Sequence, residues 1–134
     1  MALGIASFYF RKKIYMDAIK EKLQAYGQDQ SEDNLVSMLE TLISSSVWIP
    51  VFEDGQPDIL ADMDNNKFYP VFSNKEEALD EYVNVDWQQL PFVECLHEVA
   101  QNKKVHAIVV NPFTENVRLP KDIVEGLNEQ FGRH

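Results

Sequence analysis

Toward the end of the chain, Val105-His106-Ala107-Ile108-Val109-Val110 forms an apolar, β-branched run. It stops at Asn111-Pro112-Phe113 and restarts with Val117 and Leu119. Branched side chains favour the pleated strand, and an Asn-Pro pair favours a turn. The stretch therefore predicts a buried strand, a tight turn and a second strand, and the rest of the chain must pack against that hairpin. Asn111 is a turn starter, because an Asx side chain can bond the backbone two residues on. Asn116 tolerates the left-handed conformation at the turn's end.

Upstream, Met16, Ile19, Leu23 and Tyr26 follow 3-4-3 spacing, and Ile5, Phe8 and Tyr9 extend the stripe. This predicts one helix over 3–26, stopped at Gly27. A second helix is predicted at about 33–44, capped by Ser31 or Asp33, with Leu35, Met38, Leu39, Leu42 and Ile43 on one face. Residues 47–52 and 68–72 read as strands, each interrupted by a proline, Pro50 and Pro70. Proline cannot donate to a ladder, so these positions mark an edge, a bulge or a meeting of two edges. Residues 53–66 are expected to form an acidic loop. Ser73 to Glu76 resembles a capping box and predicts a helix through Tyr82. A short strand is expected around 85–87, and Pro91 suits the first turn of a helix bearing Phe92, Cys95, Leu96 and Val99. Pro120 opens a last helix with Ile123, Val124, Leu127 and Phe131 inward.

Helices and strands are mixed without strict βαβ alternation, and the 47–72 and 105–119 connections suit antiparallel pairing. The expected fold is α+β: a single domain (31–134) with a mixed, mainly antiparallel sheet and helices packed on it, preceded by an N-terminal helical extension (1–30). A chain of 134 residues with 45% hydrophobic side chains can bury a real core. One cysteine, Cys95, excludes an internal disulfide and any multi-cysteine metal site. The opening lacks the charge order of a signal peptide and is too short to span a bilayer, so a cytoplasmic protein with no integral membrane segment is expected.

The formal net charge is −10, which disfavours nucleic acid as a partner. Residues 1–30 hold five basic and three acidic side chains, whereas the remainder holds seven basic and nineteen acidic ones. A basic arm precedes an acidic body.

Three segments carry a family resemblance. Asn34 to Pro50 pairs an amphipathic helix with an apolar strand ending in Val47-Trp48-Ile49-Pro50. Phe68-Tyr69-Pro70-Val71-Phe72-Ser73 is followed by Glu76-Glu77-Ala78, and Ile108-Val109-Val110-Asn111-Pro112-Phe113 by Asn116 and Leu119. In this order, over about residues 33–130, they resemble the bacterial SseB-like family (enhanced serine sensitivity protein, N-terminal domain), with residues 1–30 outside the likeness. The resemblance implies a fold and an association with serine sensitivity, but no catalytic residues.

The residues themselves assemble no catalytic constellation. Asp62, Asp64 and Asn66 match the first ligand positions of an EF-hand loop, but Lys67 and Ser73 stand where Gly and the bidentate Glu belong. Cys95 and His97 point apart on a helix, and Cys95 is expected to be an inert core thiol. His106 and His134 have no patterned partner, and the five glycines form no phosphate-binding fingerprint. Asn-Pro-Phe resembles a short docking tripeptide but is better read as a turn.

The expected function is thus a non-enzymatic protein-interaction or regulatory module, without cofactor or metal. It is expected to act on a protein partner or by self-association as a dimer, through Phe8, Tyr9, Arg11, Lys12, Tyr15 and Met16. The alternative, drawn from the family's serine phenotype, is a small-ligand (amino-acid-related) sensor or weak enzyme with a cleft near Trp48, Tyr69 and Asn111. Membrane-surface binding and an acidic, antitoxin-like role rank below these.

Overall fold

The computed structural model describes residues 17–132. Asp17 stands outside helical geometry at φ −134°, and its carboxylate accepts the backbone N–H of Lys20 at 2.9 Å. Helix α1 (Ala18–Gln28) therefore begins here rather than near residue 3. The expected earlier part of that helix, with Phe8, Tyr9, Arg11, Lys12, Tyr15 and Met16, lies outside the described residues. Helix α2 (Glu32–Ile43) is capped by Ser31, as its sequence predicts.

Six strands follow: β1 (Ser46–Val51), β2 (Leu60–Ala61), β3 (Lys67–Val71), β4 (Asp86–Pro91), β5 (Ala107–Val110) and β6 (Val117–Pro120). Helix α3 (Phe92–Gln101) joins β4 to β5, and α4 (Lys121–Phe131) closes the described chain. The fold is α+β. Strands β2-β3-β5-β6 make one sheet, in which β3 and β5 run parallel and the other pairs antiparallel; β1 and β4 form a separate antiparallel ribbon.

The expected antiparallel pairing of 47–52 with 68–72 shrinks to one bridge. Trp48 and Phe72 exchange both backbone hydrogen bonds at 2.8 Å. Extending that register brings Pro50 opposite Pro70, where the next hydrogen-bonded pair would fall. Neither has an N–H, so the ladder stops after one bridge, while β4 pairs along the opposite edge of β1. The Pro50 carbonyl then accepts Asp58 N at 3.1 Å, and β2, unforeseen inside the 53–66 loop, occupies the other end of the same β3 edge.

The predicted capped helix at 73–82 is only a short 3-10 turn, Lys75–Ala78, with no side-chain cap. Ser73 cannot serve as its cap because its hydroxyl bonds Asp17 and Asn111. Leu79 and Asp80 then turn left-handed, at φ 53° and 61°, and end the turn. The short strand expected at 85–87 is longer and runs directly into α3. Phe131, expected inward, is 48% exposed.

Helices α3 and α4 pack on one face of the sheet, and α1 and α2 extend that layer. Ile19 and Leu23 of α1 are buried in the same core as Leu42, Ile49, Val71, Leu96, Ile108 and Leu119. Residues 18–28 thus belong to the domain rather than standing beside it. The opposite face carries an aromatic cluster: Phe72 meets Tyr82, Trp87 and Phe113 with ring centroids 5.4–6.0 Å apart. Leu23 is fully buried, so Leu23→Ala should cost about 3 kcal/mol in denaturant unfolding. An unchanged midpoint would show that α1 is dispensable to the core.

Candidate functional site

Strands β3 and β5 run parallel and end side by side, which brings Ser73 and Asn111 together. Asn111 is fully buried and left-handed, φ 50°. Its backbone N–H donates to the Val71 carbonyl at 2.8 Å, and its own carbonyl accepts from Thr114 N and Asn116 N. The side chain does not bond two residues on, as an Asx turn would. Its Oδ1 instead accepts Ser73 N across 38 positions of sequence, and Nδ2 donates to Ser73 Oγ and to Glu115 Oε1, each at 2.9 Å.

From Glu115 the network reaches α1. Lys20 Nζ lies 2.6 Å from Glu115 Oε2 and 2.5 Å from Glu77 Oε1, whose side chain is 9% exposed. Ser73 Oγ donates to Asp17 Oδ2 at 3.1 Å, and the Asn74 amide donates to the same oxygen. One cation and three carboxylates thus meet where the start of α1, the end of β3 and the β5–β6 turn converge.

Burial alone would lower the Lys20 amine, but its bonds to Glu115 and Glu77 outweigh that and raise it above 10.5. Burial would raise Glu115, yet the bonds from Lys20 and Asn111 hold it below 4.5. Asp17 goes the other way: burial, with Glu77 nearby, lifts it above 3.8 despite the bonds it accepts. The sign of each linkage follows. Glu115 contributes stability above pH 4.5 that is lost as pH falls through its depressed value. Lys20 contributes stability below pH 10.5 that is lost as pH rises through its raised value. The charge on Asp17 opposes folding and is relieved by protonation in acid.

The three residues of the expected cleft do not meet. Tyr69 is buried on the helix-packed face beside Cys95, and burial, together with Cys95 and Glu98, raises its hydroxyl. Trp48 alternates with the inward Val47 and Ile49 and so faces the other way, with Lys75 Nζ 4.8 Å above its ring. Asn111 is spent in the network. A wide, open depression at the end of α3 is lined by His97, Glu98, Gln101, Asn102, Lys103 and Lys104, none of them expected as site residues.

Cys95 is fully buried, and burial pushes its thiol up to about 12. Phe113 of the Asn-Pro-Phe turn packs against Phe72 and Tyr82. Asp62 uses Oδ1 to accept Asp64 N and Asn66 N, and Oδ2 stands 3.5 Å from Arg118. Among the described residues no three His, Cys, Asp or Glu side chains are placed to hold a metal ion, and no helix is long and apolar enough to cross a membrane.

A sheet with a parallel centre, helices on one face and a buried polar knot at its strand ends defines a single α+β domain built around one interior network. The model of the SseB protein N-terminal domain family matches residues 19–125, and the chain belongs to that family. The match begins on α1, which the segment likeness had left outside. Neither the curated proteins nor the solved structures provide a match.

Lys20→Met should cost about 2–3 kcal/mol at pH 7, by leaving two largely buried carboxylates unpaired. The gap should narrow in denaturant titrations as pH falls below 4.5 and through the depressed value of Glu115. A gap unchanged in acid would mean lost packing rather than lost charge. The Cys95 thiol should be inert to a disulfide reagent at pH 8 in the native chain and react fully in denaturant; rapid native labelling would contradict its burial.

Proposed function

We propose that this chain is a non-enzymatic protein-interaction or regulatory module that engages its partner through the segment preceding Asp17. The observation that carries this reading is the Lys20 network, which fixes Asp17 against Ser73 and Asn74. The segment joined there, residues 1–16, holds Arg11, Lys12 and Lys13, no acidic side chain, and the aromatic residues Phe8, Tyr9, Phe10 and Tyr15. Apolar rings beside cations suit docking onto an acidic protein surface by burial and charge together.

The chemistry of the polar knot supports the same reading. A lysine acting as nucleophile or base needs a lowered pKa, and Lys20 is raised and held by two carboxylates. Cys95 has neither access nor an ionised thiol at neutral pH. The amino-acid sensor proposal gains no such support, because Trp48, Tyr69 and Asn111 lie on different sides of the sheet.

Affinity capture with the full chain tests the proposal, beside a variant in which Phe8, Tyr9, Arg11 and Lys12 are alanine. The expected result is a partner retained by the full chain, weakened by salt and lost from the variant. Equal retention by both chains would overturn the proposal. So would reproducible thermal stabilisation by an amino acid; a ligand at 100 times its dissociation constant adds about 2.7 kcal/mol.

A further inference from the structure

Tyr82 donates its hydroxyl hydrogen bond to Asp58 Oδ2 at 2.7 Å and so ties the 52–58 loop to the 76–86 connection. The two segments also meet through the sheet, since Val51 pairs with both Asp86 and Pro57. This joint surface presents three apolar side chains to solvent: Phe52 at 45% exposure, Leu79 at 55% and Val83 at 81%. Leu79 is held there in left-handed backbone, a conformation that costs a leucine about 1 kcal/mol and aims its side chain outward. Around these groups, residues 52–58 and 76–86 supply seven carboxylates besides the buried Glu77, and no lysine or arginine. An exposed apolar patch with such a rim suits an occupant that is both apolar and cationic.

The chain itself contains that occupant. We infer that this surface seats residues 8–16 of a second copy, so that two chains associate by exchanging their basic, aromatic segments. The inference rests on the interaction-module reading and adds to it the receiving surface and the partner. Phe8, Tyr9, Phe10 and Tyr15 would cover Phe52, Leu79 and Val83, while Arg11, Lys12 and Lys13 meet the carboxylate rim. Each copy carries both halves of the contact, so two copies close the assembly with a two-fold axis.

Light scattering on the full chain tests this with paired charge reversals. The wild type should have the mass of a dimer in low salt and return toward a monomer at about 0.5 M salt. E53K/E76K/E81K reverses the exposed rim and leaves Asp58 on Tyr82; R11E/K12E/K13E reverses the charge of the arm. Each variant alone should be monomeric, and an equimolar mixture should regain the dimer mass, because both contacts are then complementary again. Should the first variant fail to fold, the second must still abolish association alone. A wild type that is monomeric at every concentration, or a dimer indifferent to the arm reversal, overturns the inference. A monomer that still captures a different protein through Phe8 to Lys12 sinks this inference and leaves the broader reading standing.

Discussion

The fold turns on the buried side chain of Asn111. Two parallel strands end beside each other with backbone groups that no further ladder satisfies, and one amide meets that need. It accepts from Ser73 N and donates to Ser73 Oγ and Glu115. An aspartate there could accept but not donate, and a serine would be too short to span the gap. The same residue must sit in left-handed backbone, which asparagine tolerates better than most side chains. Glu115, oriented by Asn111, then holds Lys20, and Lys20 holds α1 to the sheet. A single amide thus aligns strand ends, turn and first helix.

How much of this was legible in the sequence depends on the range of each interaction. The 105–119 hairpin, the Ser31 cap and the apolar face of α2 are local and appear where their residues predict them. The family was also legible, because three short segments occur in the right order. The knot was not: Asn111 and Ser73 are 38 residues apart, and Lys20 reaches Glu115 over 95. Ser73 shows the cost of reading locally, since its apparent capping role was overridden by two distant partners. Tyr69, Trp48 and Asn111 do not converge, because strand alternation sends Trp48 and Tyr69 to opposite faces.

The acidic composition divides into two populations with different roles. Glu77 and Glu115 are largely withdrawn from water and committed to one ammonium group, where they determine how the first helix sits. The other carboxylates of the 52–58 and 76–86 segments, Glu53, Glu76 and Glu81 among them, remain in solvent, around apolar groups that the core does not claim. The first population is insulated from salt and the second is sensitive to it. Internal architecture and external recognition therefore respond to different changes in the medium.

The facing prolines of β1 and β3 have a consequence for the order in which the sheet can assemble. Residues 47–52 and 68–72 are near in sequence and rich in β-forming side chains, so they are the natural first hairpin of a collapsing chain. Such a hairpin could zip to full length and cover the edge of β3 that β2 occupies. With imino nitrogens at positions 50 and 70 it can close only at Trp48 and Phe72. The local pairing is cut off after one bridge, and the far end of that β3 edge stays open for β2. A missing hydrogen atom at two positions thereby keeps the β1–β4 ribbon from merging with the larger sheet and leaves room for β2.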